Sequence, residues 1–131
     1  MILALAAGSI YLAATTDRAE KALVAVASPD GRYKAVRLTV YGKTPEPFCV
    51  DTIAIFLTVY PDSFVASNSG YQVYGAPCAA PSKRAALPKI EWLANNKVRI
   101  TYAPEPGAGK APRLKERDLS LFVDIKYVKA E

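Results

Sequence analysis

The sequence predicts a mainly β domain, either a single antiparallel sheet or a small sandwich of about six to seven strands, preceded by an N-terminal hydrophobic helix. Three observations support this fold class. β-branched and aromatic residues recur in several short runs, turn-forming residues separate these runs, and residues 1–16 carry no charged side chain. The 131 residues suffice for one domain with a real core. We therefore divide the chain into a hydrophobic segment, 1–16, and a single β-rich domain, 17–131.

The hydrophobic segment reads MILALAAGSIYLAATT, and the first charged side chain after it is that of Asp17. As a helix this segment rises about 24 Å, which is shorter than the ~30 Å hydrocarbon core of a bilayer. It is similar to the core of a signal peptide or to a short anchor, although only the α-amine precedes it as a positive charge. The segment predicts export, with the protein periplasmic or anchored in the inner membrane and facing the periplasm. The alternative is a buried helix of a soluble protein.

The two cysteines, Cys49 and Cys78, predict a disulfide. They are too far apart for a CxxC redox motif, and without histidine or a further thiol they cannot form a tetrahedral zinc site. In the chain-entropy model, closing a loop of about 30 residues stabilises the fold by roughly 3 to 4 kcal/mol. A disulfide implies an oxidising compartment. The alternative is two unrelated buried thiols in a cytosolic protein.

The first hairpin is predicted at Ser28-Pro29-Asp30-Gly31. Proline favours the first central position of a type I turn, and glycine can take the left-handed conformation that follows. A three-residue loop places Ser28 opposite Arg32. The resulting pairs are Val26 with Lys34, Val24 with Val36, and Ala22 with Leu38.

Two strands are predicted in the middle of the chain. The run 51–60, DTIAIFLTVY, is too continuously apolar for a strand with one exposed face, so we expect a central strand there. Tyr71 to Tyr74 is predicted as a short strand that leads into Cys78. The disulfide would then join the start of the central strand to the end of the short one.

A second hairpin is predicted over 89–102, KIEWLANNKVRITY. A two-residue loop, Asn95-Asn96, would set Trp92 against Arg99, so the hydrophobic pattern favours a three-residue loop that includes Lys97. Trp92 is then expected to pack inward. The expected pairs are Trp92 with Ile100, Ile90 with Tyr102, and Ala94 with Val98. A last strand is predicted over 119–128, with Leu119, Leu121, Val123, Ile125 and Tyr127 on one face.

The chain contains no histidine, which argues against most enzyme classes because histidine is the commonest general base and a member of the usual catalytic triads. We expect no catalytic residue, no cofactor and no metal. A carboxylate-dependent hydrolase is the alternative from the enzyme class, since two carboxylates across a cleft can perform acid/base chemistry. Its candidate residues are Asp51, Asp62, Glu91, Asp118 and Asp124.

A binding surface is predicted from aromatic and basic side chains. The net charge is +5, and much of the excess lies within 110–117. This stretch is interpreted as a solvated loop or as a weak contact with an anionic membrane surface. Nucleic acid is not expected, although a cytosolic basic module that binds it is an alternative. The residues of the predicted surface are Asn68, Tyr71, Tyr74, Lys110, Arg113, Lys115 and Arg117.

Two motifs give the chain a family resemblance. They are SPDGRYKAV at 28–36 and, within 90–102, IEWL followed by VRITY. The chain resembles small bacterial cell-envelope domains of unknown function that carry an SPDGxYxA hairpin near the start and an IxWxxxxxxxIxY hairpin near the end. The resemblance implies an envelope location and a β architecture, and it transfers no catalytic residue.

These observations predict a non-catalytic, exported or membrane-tethered envelope domain that binds a periplasmic or envelope protein. The alternative within the binding class is a periplasmic immunity protein or enzyme inhibitor. In that version a loop near 68–77 would plug the target.

Overall fold

The computed structural model describes residues 20–43, 48–67, 69–77, 88–102 and 113–130. The predicted hydrophobic helix at 1–16 lies outside these residues. Within them the chain is mainly β, as predicted. The elements are β1 (Glu20–Ala27), β2 (Tyr33–Gly42), β3 (Phe48–Leu57), α1 (Phe64–Ser67), a 3-10 turn (Ser69–Tyr71), β4 (Gln72–Pro77), β5 (Lys89–Ala94), β6 (Lys97–Tyr102), β7 (Arg113–Leu114) and β8 (Asp124–Lys129).

The strands form two sheets, so of the two predicted architectures, a single antiparallel sheet or a small sandwich, the single sheet is wrong. The first sheet has the order β1-β2-β3-β4-β7, and its neighbours are antiparallel. The second has the order β5-β6-β8, in which β5 and β6 are antiparallel but β6 and β8 are parallel. The parallel pair arises because the chain leaves the second sheet after β6, adds β7 to the first sheet and then returns beside β6.

The main core lies between the two sheets. Side chains without exposed surface come from both sheets, among them Ile53 and Ile55 of β3 and Val98 and Ile100 of β6. Trp92 packs against this core, as predicted. A second, smaller apolar cluster covers the other face of the first sheet and includes Val36, Leu38, Ala54, Phe56 and Val65. Because side chains alternate along a strand, β2 and β3 bury both of their faces.

The central strand is confirmed, with different bounds. β3 is the third of five strands, and it spans Phe48–Leu57 rather than 51–60. Its burial on both faces explains the continuously apolar run. The strand ends early because Thr58 already belongs to a turn, where its backbone N–H donates to Arg32 O (3.0 Å) and its hydroxyl donates to Gly31 O (2.7 Å).

The first hairpin has one loop residue more than predicted. Ser28 N donates to Tyr33 O (2.8 Å), so Ser28 lies opposite Tyr33 and not opposite Arg32. The Ser28 hydroxyl donates to Asp30 Oδ1 (2.7 Å) and accepts from Tyr33 N (3.2 Å), which stabilises the longer loop. The observed pairs are Val26 with Ala35, Ala25 with Val36, Val24 with Arg37, Leu23 with Leu38 and Ala22 with Thr39. A one-residue shift of this kind exchanges the two faces of β1.

The second hairpin differs from the prediction by two residues. Trp92 pairs with Val98 and Ile90 pairs with Ile100, around a two-residue turn at Asn95 and Asn96. The register is irregular between Trp92 and Ala94, and the extra residue keeps Trp92 away from Arg99. Because a two-residue shift leaves every side chain on its predicted face, the expected inward position of Trp92 is correct.

The last strand is shorter than predicted. β8 begins at Asp124, and within it Ile125 is buried, as is Val123 just before it. Leu119 and Leu121 are not on the inward face, because residues 118–123 form a loop in which these two side chains are 55% and 67% exposed.

Four described turns gather at one end of the molecule, which we call the turn end: 28–32, 58–60, 95–96 and 118–123. Hydrogen bonds connect them, including Asp30 N to Asn95 Oδ1 (2.9 Å) and Asp124 N to Asn96 O (2.9 Å). Glu20, at the start of β1, pairs with Tyr41 near the end of β2 and therefore lies at the opposite end.

Candidate functional site

Pairing of β7 with β4 places Arg113 opposite Gly75 and therefore beside Tyr74, so part of the predicted binding surface comes together. Asn68 and Lys110 lie outside the described residues. Arg113, Lys115 and Arg117 are exposed. Tyr71 is half-buried and Tyr74 is 4% exposed, so the expectation that these tyrosines form a surface is wrong for Tyr74.

Tyr74 lies in the main core because it pairs with Ile53 on the inward face of β4. Its ring centroid is 6.1 Å from that of Tyr102, which is in turn 6.3 Å from that of Tyr127. Burial, followed by the nearby charge of Asp51, raises the pKa of Tyr74 to about 12. Tyr71 packs on the opposite face of the sheet, with its ring 5.1 Å from Phe64.

Each carboxylate considered for the hydrolase alternative has a polar partner within the fold. Asp51 is buried and accepts a hydrogen bond from Thr39 Oγ1 (2.6 Å). The other acids lie on different elements, except that Asp118 and Asp124 flank the same loop. Asp62 pairs with Lys34 (2.6 Å), Glu91 with Arg99 (3.0 Å) and Asp124 with Arg117 (3.1 Å), while Asp118 accepts hydrogen bonds within its own loop.

The loop 118–123, DLSLFV, is organised by the buried carboxylate of Asp118. This carboxylate accepts hydrogen bonds from Ser120 N (3.2 Å), Ser120 Oγ (2.6 Å) and Val123 N (2.9 Å). Two backbone bonds, Asp118 N to Val123 O (3.2 Å) and Leu121 N to Asp118 O (3.0 Å), close the loop. The Asp-x-Ser spacing favours such a turn, because a short polar side chain can bond the backbone two residues later. We call residues 118–123 the apolar loop.

The apolar loop presents large hydrophobic side chains to solvent. Leu119, Leu121 and Phe122 are 55%, 67% and 44% exposed. Leu121 has a φ of 64°, which is uncommon for a residue other than glycine and often accompanies a functional site. The Phe122 ring stacks on Tyr33 with centroids 5.3 Å apart, and Arg32 Cζ lies 6.0 Å from the Phe122 centroid.

A neighbouring turn adds a further exposed apolar side chain. Val59 is 77% exposed and follows Thr58, whose hydrogen bonds to Gly31 and Arg32 fix this turn against the first hairpin. The turn 58–60 and the apolar loop therefore both contact the Gly31 to Tyr33 segment.

The sequence prediction assigned Leu119 and Leu121 to an inward strand face, and the Asp118-x-Ser120 pattern was the signal that could have identified the loop.

The exposed basic residues lie beside the apolar loop along the chain. Arg113, Lys115 and Arg117 belong to the segment that leads from β7 toward β8. The hydroxyl of Tyr127 fixes this segment, because it lies 2.7 Å from both Val73 O and Lys115 O and accepts from Lys115 N (3.2 Å). Burial raises the pKa of Tyr127. An open groove of about 540 Å³ follows the segment and is lined by Leu114, Glu116, Arg117, Asp124, Ile125, Lys126 and Tyr127.

Of the two cysteines of the predicted disulfide, Cys49 belongs to the described residues. Cys49 is 8% exposed, and none of the described cysteines is a free thiol. Its neighbour Val50 pairs with Pro77, the residue that precedes Cys78. Cys78 lies outside the described residues, so the pairing of the two cysteines remains a prediction.

Comparison of the chain with protein-family models, with curated proteins and with solved structures finds no match. In the described ranges, no cluster of three or more potential metal ligands occurs. The helices of the described part fall short of the length and hydropathy required to traverse a bilayer.

Proposed function

We propose that this chain is a non-catalytic, exported or membrane-tethered domain of the cell envelope that binds a protein through its turn end. The observation that carries the proposal is the apolar loop. Leu119 and Leu121 are highly exposed, yet the backbone that presents them is fixed by a buried carboxylate. Rigid presentation lowers the entropy lost on binding, so such a loop suits insertion into an apolar pocket of a partner.

The position of the loop favours a protein partner over a lipid surface. Glu20 is the first described residue, and it lies on the side of the molecule opposite the turn end. Only residues 17–19 separate it from the hydrophobic segment, and three extended residues span about 10 Å. β2 alone, with its 10 residues, is about 33 Å long. If residues 1–16 anchor the protein, the turn end points away from that membrane.

The basic residues next to the loop suggest the character of the partner. Arg32 lies beside Phe122, and Arg113, Lys115 and Arg117 are exposed on the adjoining segment. Positive charge around an apolar contact accelerates association with a negatively charged surface. The expected partner is therefore an envelope protein whose apolar pocket has an acidic rim.

The compartment is tested by expressing the full chain in a bacterium and fractionating the cells. We expect the protein in the periplasmic or membrane fraction, with a mass about 2 Da below that of the reduced form because disulfide formation removes two hydrogens. The same measurement shows whether residues 1–16 remain. A cytosolic protein with two free thiols would contradict export.

The binding surface is tested by replacing Leu121 with a photo-cross-linking amino acid in the full chain, in living cells. The matched control carries the same group at Val50, which is 43% exposed and lies near the opposite end of the first sheet. We expect one discrete protein adduct from position 121, its loss when Leu119→Asp is added, and no such adduct from position 50. Equal labelling from both positions, or adducts with lipid alone, would contradict the proposal.

A further inference from the structure

β1 is a long edge strand. It pairs with β2 over all eight of its residues without a register irregularity, and in the described part of the chain β2 is its only strand neighbour. All but one of its residues are exposed; Val26 is half-buried, with its carbonyl accepting from Trp92 Nε1 (2.8 Å). Among the described residues, no strand covers the other hydrogen-bonding edge of β1, which is about 27 Å long.

The direction of the open backbone groups follows from two hydrogen bonds. Ser28 N donates to Tyr33 O, and Thr58 N donates to Arg32 O. In an antiparallel pair, residues that exchange hydrogen bonds alternate with residues that do not. The even-numbered residues of β1 therefore bond β2. The backbone N–H and C=O groups that point away from β2 belong to Lys21, Leu23, Ala25 and Ala27.

β1 lacks the features that normally prevent pairing at an edge. Natural edge strands are protected by proline, bulges, short length or central charges. The sequence EKALVAVA contains no proline or glycine, and its two charges, Glu20 and Lys21, are at one end. The central residues Leu23 and Val24 are 44% and 43% exposed.

We propose that β1 pairs with β1 of a second copy of this chain, antiparallel and across a two-fold axis at Val24. This register pairs all four outward-facing residues, because Lys21 meets the partner's Ala27 and Leu23 meets the partner's Ala25. The two Val24 side chains then face each other and cover the exposed centre of the strand. The two five-stranded sheets become one continuous sheet of about ten strands.

The charges agree with this register. Glu20 lies opposite the partner's Ser28, so Glu20 and Lys21 are next to the partner's 28–32 turn, which carries Asp30 and Arg32. Both charge signs are present on each side, and no like charges lie directly opposite one another. The inference rests on β1 and its neighbours. In this dimer each Glu20 lies beside the partner's turn end, so two copies anchored in one membrane could not both point their turn ends away from it, and the proposal applies to the exported form of the domain.

The register is tested by cysteine cross-linking of the full chain in a mild detergent. Val24 would occupy a non-hydrogen-bonded pair with itself, where Cα atoms are about 4.5 Å apart, within the range of a disulfide. Val24→Cys should therefore form a covalent dimer on mild oxidation. Ala22→Cys is the matched control, because its two copies would be about 13 Å apart along the strand. We expect at least tenfold faster cross-linking at position 24.

A second experiment uses a substitution that prevents β1 from pairing with another strand. Ala25→Pro deletes an N–H that points away from β2, so it should abolish the dimer in sedimentation equilibrium while the circular dichroism spectrum is retained. If this variant fails to fold, Ala25→Lys gives the same test by placing a charge at the contact. Equal cross-linking at positions 22 and 24, a monomer at all concentrations, or a dimer unaffected by the substitution at 25 would overturn the proposal. If residues 1–19 or a foreign peptide occupied the edge instead, the protein would be a monomer at all concentrations.

Discussion

The two edges of the five-stranded sheet are built in opposite ways. The β7 edge is two residues long, and the chain continues from it across to β8, where Ile125 N donates to Glu116 O (2.9 Å). Tyr127 adds its hydroxyl to the same segment. The β1 edge is eight residues long, and among the described residues its contact with the second sheet includes one hydrogen bond from Trp92.

Among the described residues, the fold covers the β7 edge with its own chain and leaves the β1 edge without a second strand neighbour. On the β7 side, segment 113–123 closes the gap between the sheets and ends in the apolar loop. On the β1 side no described segment crosses outside the edge. The closed side should therefore respond strongly to loss of a single buried group, whereas the open side should respond to changes in association.

The largest effect is expected from Asp118→Ala on the closed side. The substitution removes the acceptor of Val123 N and of two groups of Ser120, and it leaves a buried donor without its partner. We expect a loss of about 3 kcal/mol in the free energy of unfolding, measured by urea denaturation. The control Leu119→Ala, at an exposed position of the same loop, should cost less than about 0.5 kcal/mol. Similar losses in both variants would contradict the structural role of Asp118.

Alkaline pH should also weaken the closed side. The pKa of Tyr74, which pairs with Leu114 of β7, is raised from 10.0 to about 12, mainly by burial. Because the folded-state pKa exceeds the unfolded value, the neutral tyrosine contributes stability below pH 10, and this contribution is lost as the pH rises toward 12. Denaturation curves between pH 9 and about 12 should show this fall. Tyr74→Phe should make the fall shallower, and an unchanged pH dependence would refute the assignment.

On the open side, Trp92→Phe should loosen β1. The variant loses the hydrogen bond to Val26 O, a bond worth about 1 kcal/mol. Hydrogen exchange of the β1 amides that bond β2, such as those of Val24 and Val26, should accelerate about fivefold. Exchange at Ile125 on the closed side serves as the internal control and should change less. Equal acceleration at both places would mean that the substitution acts on global stability.

The smallest effect is expected from Gly75→Ala under the β7 edge. A Cβ at this position would meet Arg113 Nη2 at 2.6 Å, but that atom is the far end of a flexible side chain and can move. We expect a cost below about 0.5 kcal/mol. Gly31→Ala is the comparison, because its φ of 73° strains any residue with a Cβ and should cost about 1 kcal/mol. A larger cost at Gly75 would show that Arg113 is rigidly held at this edge.

Much of the fold could be predicted because it depends on sequence patterns within short segments of the chain. Turn chemistry explains the SPDG turn. Side-chain alternation explains the burial of both faces of the central strand and the inward position of Trp92. The first hairpin was predicted one residue out of register because β1 is exposed almost throughout, so no buried face constrained the register. The second hairpin kept its faces because Val98 and Ile100 are buried on one side of β6.

The candidate site was predicted less well. Exposed basic residues at 113–117 were found from composition, whereas Tyr74 was assigned to the surface and is buried. The apolar loop was predicted as part of a strand, because alternating Leu119, Leu121 and Val123 imitate a strand face. A buried Asp118 with three donors breaks that pattern, and the loop that it organises is held against the first hairpin by the stacking of Phe122 on Tyr33.

The amino-acid sequence was sufficient for the mainly β class, the positions of most strands and the location of both hairpin turns, since these depend on contacts between residues close in the chain. The assembly of two sheets, the parallel entry of β8, the burial of Tyr74 and the exposure of Leu121 were settled by the tertiary structure. Each of them depends on which distant segments meet, and side-chain periodicity holds no information about that choice.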